Sequence, residues 1–166
     1  MLKFNRKSLF VGVAISLLTL SATAYADVSA EAKKLISDNY KKMCSAINKK
    51  DVDGVAKFMT ADYKDVAKRR TVNLEGWKTE MKEGMKILSN VMTGIKTKEF
   101  KSSGKDVIVT MDMTVTADIA APDGSKHKLS TKADTKDTWT LKDGKWKCKV
   151  SETLSEKQTV DGKPTG

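Results

Sequence analysis

Histidine is nearly absent from this chain: His127 stands alone, between two lysines. With that single histidine and only two cysteines, Cys44 and Cys148, the chain has too few soft ligands for a structural zinc site, and no metal or other cofactor is expected. The cysteines are far apart in sequence, which excludes a CxxC redox motif. Arginine is scarce too. Arg6, Arg69 and Arg70 are the only ones among 31 basic residues, and aromatics make up 6% of the chain. A nucleic-acid surface interleaves arginines with stacking aromatics, so no nucleic-acid partner is expected. Long apolar runs are also missing. The longest, residues 9–20 (LFVGVAISLLTL), is shorter than the roughly 20 residues that a spanning helix needs.

That run has another use. Lys3, Arg6 and Lys7 precede it, and Ala24 and Ala26 follow it at the two positions that a signal peptidase reads. Residues 1–26 therefore read as a cleavable secretory signal peptide, which places the mature chain in the periplasm or outside the cell, with no stable membrane insertion after cleavage. The whole chain carries a net charge of +10, and residues 1–26 hold three basic and no acidic side chains, so the mature part carries +7. Its one basic cluster is Lys68-Arg69-Arg70, read as a solvated loop or an anion contact. In an oxidising compartment, an even cysteine count favours a Cys44–Cys148 disulfide, tying the first helix to the last strand. Two separate buried thiols are the alternative.

Residues 29–49 have helical spacing, with Leu35, Ile36, Tyr40, Met43, Cys44 and Ile47 on one side and Ser29 as N-cap. Asp51 caps a short helix over 52–59, and Asn73 caps a third that runs to about Met92. Residues 62–67 are a weak strand or loop. Past Thr93 the period changes to two, giving strands over 94–101, 107–119, 128–141 and 145–154. The turn Lys142-Asp143-Gly144 is a strong hairpin signal. Residues 27–158 form one domain, and the Gly- and Pro-containing tail 159–166 is expected to fray. Helices first and strands after predict an α+β domain, with helices packed on the concave face of a curved antiparallel sheet.

Four stretches carry a further resemblance: the first helix, "NKKDVDGVAKFMTADY" at 48–63, the long strand from Val107, and "DTWTLKDGKWKCKV" at 137–150. In this order they resemble the nuclear transport factor 2-like superfamily, the cystatin-like cone fold that includes the SnoaL-like proteins. The resemblance implies a cone with a pocket between helices and sheet. Its members include isomerases, dehydratases, hydrolases and many non-catalytic binders, so fold does not settle function.

Within that cone the expected ligand-pocket residues are Tyr40, Met81, Met85, Met111, Met113, Asp137 and Trp139. Inward parity gives 107, 109, 111, 113, 115, 117 and 119 on one strand, and 129 to 141 in steps of two on the next. Asp137 stands out as a carboxylate among them. The leading expectation is a non-catalytic protein that binds a small apolar ligand or a protein partner. The competing one is an enzyme of the steroid-isomerase or dehydratase type. The resemblance implies for it a tyrosine and two acids, matched by Tyr40, by Asp62 or Asp65, and by Asp137. Dehydratase members need a histidine inside the cone, whereas His127 begins a strand. The outer sheet face is rich in Thr, Lys and Asp, which favours a monomer or a weak homodimer.

Overall fold

The computed structural model describes residues 27–121 and 124–165, so the reading of 1–26 as a signal peptide lies outside the described residues. Three helices and seven strands follow in the order α1 (Ala30–Asn48), α2 (Val52–Ala56), β1 (Met59–Ala67), β2 (Arg70–Asn73), α3 (Leu74–Lys86), β3 (Leu88–Ser103), β4 (Asp106–Ala120), β5 (Lys126–Lys142), β6 (Lys145–Val160) and β7 (Lys163–Pro164).

Each helix starts where a short polar side chain satisfies a free amide. Ser29 accepts from the Ala32 N–H, Asp51 from Gly54 and Asn73 from Gly76. Such caps each contribute about 1 kcal/mol. On α1 the buried residues Ala32, Ile36, Tyr40 and Met43 recur every three or four positions, which forms one apolar stripe. That stripe meets Val107, Val109 and Met111 of β4 and Trp139 of β5 in the main core. Among the described residues, no helix is long and apolar enough to cross a membrane.

The strands form one sheet in the order β2-β1-β6-β5-β4-β3, with β7 on the edge of β6. The sheet is mixed rather than antiparallel throughout, because β1 pairs with β6 in parallel. Returning through α2 leaves β1 running the same way as the final long strand. Two extra residues on β6 bend it against β5. Thr138 pairs with Val150 and Trp139 with Cys148, leaving Lys149 over; Leu154 is left over in the same way. Each such bulge reverses which face the following residues meet.

Several element bounds differ from the sequence reading. α3 stops at Lys86, because Leu88 already pairs with Ile119 of β4. Asn90 takes a positive φ of 51° at a register shift, which turns Val91 inward and leaves Met92 68% exposed. Met92 therefore belongs to a strand edge and not to a helical core stripe. Strand pairing continues past 159. Asp161 and Gly162 both have positive φ, and Val160 pairs with Lys163 across them. That is a two-residue type I′ hairpin turn.

The expected disulfide is not formed; both cysteines are free thiols. Cys44 lies on the side of α1 that faces Thr93, Ile95 and Thr97 of β3. Cys148 is buried at the start of β6, paired with Met59 and Trp139. Cys44 thus faces the edge strand β3, whereas Cys148 lies on β6, with β4 and β5 between the two strands.

Candidate functional site

A cavity of about 310 Å³ lies between the helices and the concave sheet face. The walls come from α1 (Tyr40, Met43), α3 (Trp77, Met81, Met85), β4 (Met111, Met113) and β5 (Thr135, Asp137), closed by Met59, Tyr63 and Ser151. Six of the seven expected pocket residues line it: Tyr40, Met81, Met85, Met111, Met113 and Asp137. The seventh, Trp139, does not. It is wholly buried behind Tyr40, edge to face at 5.0 Å between ring centres.

Trp139 is nevertheless part of the polar arrangement. Its indole N–H donates to the Tyr40 hydroxyl at 2.7 Å, and that hydroxyl donates to Asp137 Oδ2 at 2.8 Å. The direction is set by chemistry, because an indole can only donate. Burial and the nearby Asp137 carboxylate hold the Tyr40 hydroxyl well above its ordinary pKa, so it stays a proton donor. Asp137 is 5% exposed. Burial pushes its carboxyl up to about 6, against smaller opposing pulls from the Ser151 and Tyr40 hydroxyls. Ser151 faces Asp137 across the β5–β6 ladder, yet Asp137 Oδ1 has no hydrogen-bond partner among the described residues. Thr135 Oγ1, two residues along the same strand face, has none either.

The other acids divide. Asp65 lines the cavity, and burial raises its carboxyl pKa, partly offset by Arg70 at 2.7 Å. Arg70 also pairs with Glu80, so its charge is taken up internally. Lys68 and Arg69 stay exposed at the β1–β2 turn. Asp62 is exposed, and the nearby Thr60 side chain leads the causes that lower its pKa; it is not part of the cavity. His127 also lies outside the cavity, at the far end of the sheet, with Nδ1 2.7 Å from Asp161 and Nε2 3.1 Å from Ser125. No cluster of three metal-ligating side chains occurs among the described residues.

Sequence reasoning missed Ser151, Thr153 and Tyr63 in the cavity wall. Trp146 and Cys148 point to even parity on β6, and the Lys149 bulge shifts the inward positions to 151 and 153. Lys149 carries no local mark of a bulge. Tyr63 packs on Trp77 at 6.1 Å, edge to face, within an irregular stretch of β1.

No family model and no curated protein matches the chain. Solved structures do. An NTF2-like protein from Cytophaga hutchinsonii matches at 18% identity and a TM-score of 0.57, covering 74% of this chain and 97% of that one. A candidate scytalone dehydratase from Novosphingobium aromaticivorans matches at 13% identity and a TM-score of 0.61, covering 75% and 85%. A Nostoc punctiforme protein of unknown function with a cystatin-like fold matches at 12% and 0.59, covering 76% and 92%. At these identities the likeness is one of fold. The helices, the curved mixed sheet and these neighbours together give the chain the nuclear transport factor 2-like, cystatin-like cone fold that its sequence pattern resembles.

Proposed function

We propose that this chain is an exported, non-catalytic binding protein that holds a small, largely apolar ligand in the cone cavity. The observation that carries this reading is the cavity itself. Protein interiors normally pack with few voids larger than a water molecule. Here about 310 Å³ stays open, walled by the thioethers of Met43, Met59, Met81, Met85, Met111 and Met113. The volume lies at the small end of the range for ligand sites. Methionine has three rotatable bonds and a polarizable sulfur, so such walls adapt to the shape of an apolar guest.

Calorimetric titration with 1-adamantanol, a compact apolar probe, tests this. Saturable one-to-one binding with a negative heat-capacity change is expected. It is lost in Met113→Trp, which fills the cavity, while the circular-dichroism spectrum of that variant stays native. Absence of binding to the unaltered protein contradicts the reading.

An enzyme that transfers protons is the second reading, favoured by Asp137, whose carboxyl at about 6 is suited to exchanging protons near neutral pH. Other features oppose it. The Tyr40 proton is spent on Asp137 and does not point at a guest. Asp62 faces solvent, and His127 is outside the cavity. Turnover of a β,γ-unsaturated ketone that disappears in Asp137→Asn would replace the binding reading with this one.

A further inference from the structure

The charges that line the cavity have one sign. Asp65 and Asp137 contribute carboxyl groups, and no lysine, arginine or histidine is among the lining residues. Arg70, the cation that pairs with Asp65, is committed to Asp65 and Glu80. The hydrogen bonds run one way as well. From Trp139 through Tyr40 they pass protons toward Asp137 Oδ2 and end there. What the chain presents to a guest is therefore an acceptor, the unpartnered Asp137 Oδ1. The Tyr40 hydroxyl, committed to Asp137, offers a guest no donor. Thr135 Oγ1, also unpartnered and buried, lies on the same face of β5 about 7 Å along the strand. Around these polar atoms the wall is methionine and aromatic.

We propose that the cavity selects an apolar molecule with one cationic, hydrogen-bond-donating head, a primary or secondary amine, whose N–H group meets Asp137 Oδ1 while its hydrocarbon body fills the methionine-lined space. This rests on the cavity being a ligand site. A carboxylate guest would face two like charges. A ketone or ether would leave Oδ1 without a donor, and a buried acceptor without a partner disfavours binding.

Three probes with the same body and different heads test it: 1-adamantanamine, 1-adamantanol and 1-adamantanecarboxylate, titrated by calorimetry at pH 7.5. The amine is expected to bind about tenfold or more tighter than the alcohol, as charge-assisted hydrogen bonds are stronger than neutral ones. The carboxylate is expected to bind weakest. Asp137→Asn keeps an acceptor for Tyr40 and removes the charge; it should bring the amine to within about threefold of the alcohol. If the alcohol binds and the amine has no advantage, or if Asp137→Asn leaves that advantage intact, the head-group assignment is overturned and the apolar site stands. If none of the three binds, both are overturned. The ranking on the unaltered protein decides the matter even if the variant does not fold.

Discussion

A carboxyl group buried against a tyrosine makes folding stability depend on pH. Asp137 holds its proton up to about 6 in the folded chain, against about 3.9 when unfolded. Its proton-linked contribution is thus fully present below about pH 4 and is lost as pH rises through about 6, on the order of 3 kcal/mol in all. Asp137→Asn removes that dependence. The variant should be more stable than the unaltered protein at pH 8, with the advantage gone by pH 4, as measured by urea unfolding. Asp65 titrates in both proteins, so the difference isolates Asp137; an equal difference at both pH values would contradict the burial argument. Tyr40→Phe probes the same chain from its middle. It strands the Trp139 N–H and Asp137 Oδ2 together, each buried, and should cost about 2–4 kcal/mol. It should also raise the Asp137 pKa further, visible in a carboxyl-carbon NMR titration. At this scale the sequence was readable where parity held. Tyr40 and Asp137 follow from helical and strand spacing. That Trp139 supports Tyr40 instead of lining the cavity depends on how α1 settles across β5, a tertiary fact with no local signature.

Turns decide how the elements end. Asp143-Gly144 and Asp161-Gly162 are the same device, each pair with positive φ, closing β5 to β6 and β6 to β7. The second was as visible in sequence as the first, but the short segment after it hid the hairpin. Gly162 has φ +77°, a conformation that costs a side chain energy even though the space around it is open. Gly162→Ala should lower stability by about 1 kcal/mol and speed amide exchange at Lys163, while exchange in β4 stays unchanged. The bulge at Lys149 and the early end of α3 were not legible. Both arise because strand pairing outweighs local preference: Leu88 gains a partner in Ile119, and β6 needs an extra residue to follow the curve of β5.

For the whole molecule, the fold was legible from the order of helical and alternating segments, and the parallel β1–β6 contact was not. A strand's direction relative to a distant one depends on the path between them. The cysteine pairing failed for a related reason: an even count says nothing about geometry. Ellman titration in denaturant without reductant should find two thiols per chain, and reductant should leave the melting temperature unchanged. Burial raises both thiol pKa values, Cys148 the more, so in the native protein Cys44 should react slowly and Cys148 only on unfolding. The proposed function needs an open apolar cavity at the heart of the cone, and the methionines are its built-in reporters. Met43, Met59, Met81, Met85, Met111 and Met113 line it, whereas Met92 lies on the surface. In a methionine-methyl NMR titration with 1-adamantanamine, the six cavity methyl signals should shift together to saturation while Met92 stays in place. Unmoved cavity signals, or a shift confined to Met92, would contradict the account.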